Sequence, residues 1–150
     1  MTSEALAQAR ASGLSACEMR DTMFVRIDFD SEEAFYIQLR NQIIMGIAMS
    51  ELQEGESLPS VRDLAESIGI NMHTVNKAYT ILKQEGYVRL DRRRGAVIAV
   101  DADKLMAEGE LRKQLKTVVA RALCKNLTPE EIRQTLDGVL EEFRAASEDE

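Results

Sequence analysis

The sequence predicts an α+β protein, mostly helical, in which three helices and a small β-hairpin form one unit and a two-helix antiparallel hairpin follows. Three observations carry that reading. Between Leu58 and Val100, a short apolar helix pattern, a second helix with a polar edge and two strand-like runs succeed one another, with Gly69, Gly86 and Gly95 at the junctions. Ahead of that stretch lies another amphipathic helix pattern around Leu39 and Ile43. Beyond Val100, apolar residues recur twice more at helical spacing, and Thr128-Pro129-Glu130-Glu131 separates the two runs as a helix start.

Residues 1–22 are rich in alanine but contain Gly13 and scattered small polar residues, which suits an N-terminal arm or a loosely docked helix. Met23-Phe24-Val25-Arg26-Ile27-Asp28-Phe29 alternates apolar and polar residues as a short strand does. Asp30-Ser31-Glu32-Glu33 then supplies helix-opening residues ahead of Phe35 or Tyr36, Ile37, Leu39, Ile43, Ile44 and Ile47. Glu54-Gly55-Glu56 reads as the loop leading into Leu58-Pro59. Residues 23–100 are therefore taken as one domain.

In the next helix, Pro59 suits the entrance and Ser60 offers an oxygen to the unpaired amides of the first turn. Val61, Leu64, Ala65 and Ile68 make one narrow apolar face over about two turns. Gly69 can take the left-handed conformation that ends the helix, leaving Ile70 to plug the turn. Asn71 is a good N-cap for the following helix, which runs to a stop at Gly86 and buries Val75, Ala78, Tyr79 and Leu82. Its other edge begins with His73, Thr74, Asn76 and Lys77, all able to hydrogen-bond within the first two turns. Tyr87-Val88-Arg89-Leu90 and Ala96-Val97-Ile98-Ala99-Val100 read as strands, joined by Asp91-Arg92-Arg93-Arg94-Gly95. Three adjacent arginines cannot be buried. In isolation they are a solvated turn, but on a hairpin beside a helix-turn-helix they form a positive projection suited to phosphate or a minor groove. This order of elements is that of a winged helix-turn-helix, in which the second helix of the pair meets base edges and the hairpin is the wing.

Residues 101–150 are expected to form a helical tail for dimerisation and response to an effector. Leu111, Leu115, Val118, Val119 and Ala122 share one helical face, and Ile132, Leu136, Val139, Leu140 and Phe143 share another. Thr128 and Glu131 have the spacing of a reciprocal capping box. Two such helices cannot cover both stripes by themselves, so a second copy of the chain is the expected cover, with those residues as the seam.

Pro59-Ser60-Val61-Arg62-Asp63-Leu64-Ala65, the run from Thr74-Val75 through Ala78-Tyr79 to Leu82 and Glu85-Gly86, and Arg93-Arg94-Gly95 together resemble the signature of the GntR transcription regulators. The short tail is similar to that of the YtrA-like subgroup. The resemblance implies contacts to base and phosphate from Arg62 in the first helix of the pair, from Asn71, His73, Thr74 and Asn76 in the second, and from a wing of Arg92, Arg93, Arg94 and Gly95, and Ser60 and Lys77 beside them are further DNA-binding candidates. Met72 and His73 stand where the family often has arginine or a proline-asparagine pair, so the preferred base sequence is expected to differ. Arg93 stands where a first wing glycine is common, which makes a bulkier and more charged tip. The resemblance further implies a homodimeric repressor on an inverted-repeat site in double-stranded DNA, with ABC-transporter operons as the subgroup's common targets. A small-molecule effector would act by preferring one dimer geometry over another. The sequence does not name it.

Composition bears on these expectations. The net charge is -7. From Pro59 to Val100 it is +3, which leaves -10 for the rest, so a basic face and an acidic remainder coexist. A winged-helix module that binds protein instead of DNA is the alternative, and it has no need of Arg62 or the arginine-rich wing. An enzyme is not expected. His73 is the only histidine, and no phosphate loop, nucleophile elbow or metal-ligand cluster is present. Cys17 and Cys124 lack metal or redox spacing, no cofactor is implied, and two cysteines without a signal peptide suit the cytoplasm. No apolar run reaches membrane-spanning length, and no membrane partner is expected.

Overall fold

The computed structural model describes residues 25–148. The expected arm at 1–22, with Cys17, and the expected strand residues Met23 and Phe24 lie outside them. The described elements are α1 (Phe35–Ala48), α2 (Val61–Ile68), α3 (Met72–Gln84), β1 (Val88–Asp91), β2 (Gly95–Ile98), α4 (Lys104–Cys124) and α5 (Pro129–Glu148). Two compact units divide between Val100 and Asp101.

In the first unit, α3 is the central helix and packs against α1, α2 and β1. Leu39 and Ile43 of α1, Leu64 of α2, Val75 and Leu82 of α3 and Ile98 of β2 are fully buried in one cluster. Each such side chain removed from water contributes roughly 1.5–3 kcal/mol, so this cluster holds the three helices and the hairpin as one body. β1 and β2 pair antiparallel, from Val88 opposite Ile98 to Asp91 opposite Gly95. The loop into α2 adds to the outer edge of β2. Ser57 bridges Val97, Leu58 N donates to Ala96 O at 2.8 Å, and Ile98 N donates to Glu56 O at 2.8 Å.

The alternating segment before α1 is extended but is not a strand. Its backbone pairs with two glutamine side chains one turn apart on α1. Arg26 N donates to Gln42 Oε1 at 2.9 Å and Gln42 Nε2 returns to Arg26 O at 2.6 Å. Asp28 N donates to Gln38 Oε1 at 2.9 Å, and Gln38 Nε2 returns to Asp28 O at 3.1 Å. Side-chain amides thus supply the donor and acceptor that a neighbouring strand would supply, which leaves Ile27 buried and Arg26 and Asp28 outward. The helix also starts later than its acidic residues suggest. Asp28 Oδ1 accepts from Asp30 N and Ser31 Oγ from Glu33 N, local turns that compete with helix, so α1 begins at Phe35.

The second unit comprises α4 and α5 and the turn between them. Asp103 caps α4 by accepting from Leu105 N and Met106 N at 3.1 Å. Asn126 takes φ 64° and Leu127 N donates to Ala122 O, which ends the helix. The capping box forms at the entrance to α5, with Glu131 N to Thr128 Oγ1 at 3.2 Å and Thr128 N to Glu131 Oε2 at 2.7 Å. Those bonds favour the ionised carboxylate and hold the Glu131 pKa below its ordinary value. No residue of either helix is buried.

Candidate nucleic-acid interface

The helix-turn-helix is built by two caps and one long-range bond. Ser60 Oγ accepts from Asp63 N at 3.1 Å and starts α2. Gly69 ends it at φ 72°, in the left-handed region where a side chain would be strained. Asn71 Oδ1 accepts from His73 N at 2.8 Å and starts α3. The Tyr79 hydroxyl, one helix further on, donates to Pro59 O at 2.8 Å, tying α3 to the entrance of α2. Burial pushes the Tyr79 phenol pKa far above its usual value, so this hydroxyl stays a donor.

Val75, Ala78, Tyr79 and Leu82 take the inner face of α3. His73, Asn76 and Lys77 are exposed and Thr74 is half-buried. Asn71 and Ser60 are exposed as well, with one side-chain oxygen each engaged in a cap, which leaves the Asn71 amide and the Ser60 hydroxyl hydrogen to donate outward. Lys77 Nζ lies 3.8 Å from the centroid of the Tyr36 ring on α1. Arg62 Nε lies 3.4 Å from Glu66 Oε1, one turn along α2. Both side chains of that pair are mostly exposed, so the ion pair is worth at most about 1 kcal/mol and is readily exchanged for a phosphate or a base.

The wing tip is organised by Asp91. Its Oδ1 accepts from Arg93 N at 2.8 Å and from Arg94 N at 3.0 Å, which closes the three-residue loop. These bonds hold the Asp91 pKa below its ordinary value, with the charges of Arg89 and Arg94 assisting. Gly95 follows at φ 74° and returns the chain to β2, as a three-residue hairpin with a left-handed bulge requires. Arg92, Arg93 and Arg94 are all exposed, but they are not equivalent. The Arg94 guanidinium is hydrogen-bonded to Gly55 O, on the loop that borders β2. The sequence suggests a tip of three free arginines; among the described residues, Arg92 and Arg93 make no ion pair, and Arg94 staples the wing to the loop before α2.

Sequence reasoning placed Tyr36 on the first helix, Gly55 in a loop and Asp91 in the hairpin turn, and gave none of them a part in the interface. An Asp immediately ahead of a turn is a local signal for side-chain-to-backbone closure. The contacts of Tyr36 and Gly55 have no local signal, because each joins residues about 40 apart in the chain.

The expected seam residues lie outside this interface, in the second unit. Leu111 and Val118 of α4 and Leu136, Val139 and Leu140 of α5 are exposed. Leu115 and Val119 of α4 and Ile132 and Phe143 of α5 are half-buried. Leu111, Leu115, Val119 and Leu123 line an open apolar groove along α4, with Arg112 and Lys116 at its rim.

A family profile described as bacterial regulatory proteins, gntR family, matches residues 35–98, from the first residue of α1 to the end of β2. The chain is 35% identical over 101 residues to the HTH-type transcriptional repressor YtrA of Bacillus subtilis (strain 168), a match that covers 65% of this chain and 78% of that relative. The chain belongs to the GntR family. This GntR-family fold extends over most of the chain. A transcriptional antiterminator from Listeria monocytogenes EGD-e matches with a TM-score of 0.72 and 30% identity, covering 82% of this chain and 93% of that one. YtrA from Sulfolobus acidocaldarius, a GntR-family transcription factor, matches with a TM-score of 0.57 and 37% identity, covering 68% and 99%. The GntR assignment makes the chain a transcription regulator with a winged helix-turn-helix DNA-binding fold. No helix among the described residues is long and apolar enough to cross a membrane, and no group of side chains among them could hold a metal ion.

Proposed function

We propose that this GntR regulator is a homodimeric repressor that binds an inverted-repeat operator. In that reading α3 enters the major groove with Asn71, His73, Thr74 and Asn76 toward base edges, and Ser60 and Lys77 serve phosphates. Arg62 reads a base from α2, and the wing lays Arg92 and Arg93 along the backbone. The observation that carries the proposal is the charge pattern of the stretch from Pro59 to Val100, which holds α2, α3 and the wing. The exposed polar edge of α3 and the two unpaired wing arginines sit on this stretch, of net charge +3 in a chain of -7. Repression is supported by the name of the Bacillus subtilis relative.

The second copy is assigned to the tail. Neither tail helix buries a residue in the single chain. α4 carries Lys104, Arg112, Lys113, Lys116 and Arg121 against Glu108 and Glu110, while α5 carries Arg133 and Arg144 against Glu130, Glu131, Asp137, Glu141, Glu142 and Glu148. A basic and an acidic amphipathic helix suit each other across a two-fold axis, where each meets the other's copy. The dimer would set two α3 helices about one DNA turn apart. Control of a transporter operon and the existence of an effector belong to the same proposal by family resemblance.

Hydroxyl-radical footprinting on a bound promoter fragment tests the proposal. Two protected half-sites of inverted sequence, separated by about one helical turn, are the expected result. A single protected half-site at saturating protein would refute the dimeric arrangement. Retention of protein partners with no protection of any duplex would favour a protein-interaction module.

A further inference from the structure

The Lys77 ammonium is held by an aromatic ring, and the nature of that partner matters. Among the described residues of the first unit, three cations are engaged with another residue's side chain. Arg62 pairs with Glu66 at 3.4 Å and Arg40 of α1 with Glu85 at 3.2 Å. Each has a carboxylate partner that a phosphate must displace, weakly held in the exposed Arg62–Glu66 pair. Lys77 instead sits 3.8 Å from the Tyr36 ring centroid and makes no ion pair among the described residues. A ring quadrupole attracts an ammonium and restricts its position without cancelling its charge. The ammonium has three donors, so one can face the ring while others stay open.

The position is also suited to the task. Lys77 lies one helical turn after His73 and is exposed, outside the face of α3 formed by the buried Val75, Ala78, Tyr79 and Leu82. Tyr36 belongs to α1, which packs directly on α3, and its ring is half-buried against the core cluster. A flexible four-carbon side chain at the edge of α3 is thereby leaned against a fixed wall of the scaffold. Holding it in place before association removes part of the ordering that binding would otherwise impose.

We propose that Tyr36 is a positioning residue for DNA binding, holding the Lys77 ammonium, which has no carboxylate partner among the described residues, at the edge of α3 for one backbone phosphate. This rests on the DNA-binding reading of the α3 edge. Tyr36 itself touches no nucleic acid in this account, and the ring, not the hydroxyl, carries the effect.

The test uses the full chain and a labelled duplex of mixed sequence about three helical turns long, with affinity measured across a salt series. Lys77→Gln is expected to lower the slope of log affinity against log salt by about 0.9, the signature of one phosphate contact. Tyr36→Leu is expected to weaken binding about two- to fivefold, the range of an exposed cation–π contact. Tyr36→Phe keeps the ring and should stay within experimental error of the unaltered chain. In the Lys77→Gln background, Tyr36→Leu should have no further effect, a non-additivity that a general loosening of the fold would not produce. Equal losses from Tyr36→Leu in both backgrounds, or a Phe variant as weak as the Leu variant, would overturn the proposal. If Tyr36→Leu unfolds the chain, the Lys77 ε-methylene protons of the unaltered protein still decide. Upfield ring-current shifts are expected, and ordinary lysine shifts would overturn it. The two readings fail differently: no salt-dependent binding by the unaltered chain removes DNA binding itself, whereas strong binding with an unchanged slope in Lys77→Gln removes only the positioning role.

Discussion

Replacing Arg92 and Arg93 together with Gln should change how strongly DNA binding depends on salt, by an amount the wing geometry specifies. Both guanidiniums are exposed at the tip and make no ion pair among the described residues, whereas Arg94 is bonded to Gly55 O. Each arginine that neutralises one phosphate contributes about 0.9 to the slope of log affinity against log salt, so the double variant should lose about 1.8. Over a fourfold rise in salt, the unaltered chain should therefore lose roughly twelvefold more affinity than the variant. Arg94→Gln is expected to behave differently. It removes a staple between the wing and the loop before α2, so the slope should change less than for Arg92 or Arg93 while local exchange protection of the Gly55 and Leu58 amides, which donate to Ile98 O and Ala96 O, falls. Fluorescence anisotropy on a labelled duplex across a salt series measures the slope. A double variant whose slope equals that of the unaltered chain would refute the placement of the tip on phosphates.

Arg62→Ala should cost about 1–3 kcal/mol on the preferred site and much less on random DNA, since a base-reading arginine supplies discrimination; equal losses on both would assign it to the backbone. Tyr79→Phe removes the hydroxyl that donates to Pro59 O and should lower stability by about 0.5–1.5 kcal/mol, with a further cost if Pro59 O is left without water; denaturant unfolding monitors this, and an unchanged midpoint would mean the bond adds nothing. Leu136→Glu with Leu140→Glu places charges on the exposed face of α5 and should yield monomers by light scattering; a dimer that survives would move the seam elsewhere. The depressed Asp91 pKa gives the wing a contribution that is complete above the ordinary carboxylate range and is lost as the pH falls through the lower folded value. Protection of the Arg93 and Arg94 amides, taken as exchange relative to the intrinsic rate at each pH, should fall there in the native chain and stay constant over that range in Asp91→Asn, and identical profiles would remove Asp91 from the wing's closure.

Features encoded within one helical turn were legible in the sequence. The Ser60 and Asn71 caps, the Gly69 stop, the Gly95 return and the Thr128–Glu131 capping box each depend on residues two to four apart, and each forms in the structure. The strand expected around Ile27 shows where that legibility ends. Period-two alternation reports that one side of an extended segment is buried, which holds for Ile27, but it does not report what accepts the backbone hydrogen bonds. Here Gln38 and Gln42 do, from a helix that follows the segment. The helix start at Phe35 was displaced for a related reason. Asp and Ser at 28 to 31 close turns through their own side chains as readily as they cap a helix.

The candidate interface divides along the same line. The exposed polar positions proposed to meet DNA were visible because they lie at fixed offsets from the Asn71 cap and the wing glycine. Their present partners were not, since Lys77 on Tyr36 and Arg94 on Gly55 arise only when α1 packs on α3 and the loop joins β2. The two tail helices and the capping box between them were legible, and neither helix buries a residue in the single chain; the second copy is the cover proposed for their apolar stripes.

Selection of genomic fragments by the purified chain at near-physiological salt, followed by footprinting of the enriched sites, tests the central claim most directly. Enrichment of one inverted repeat with half-sites about one helical turn apart is the predicted result. Recovery of fragments with no shared sequence, or of none above background, would contradict a sequence-specific dimeric regulator.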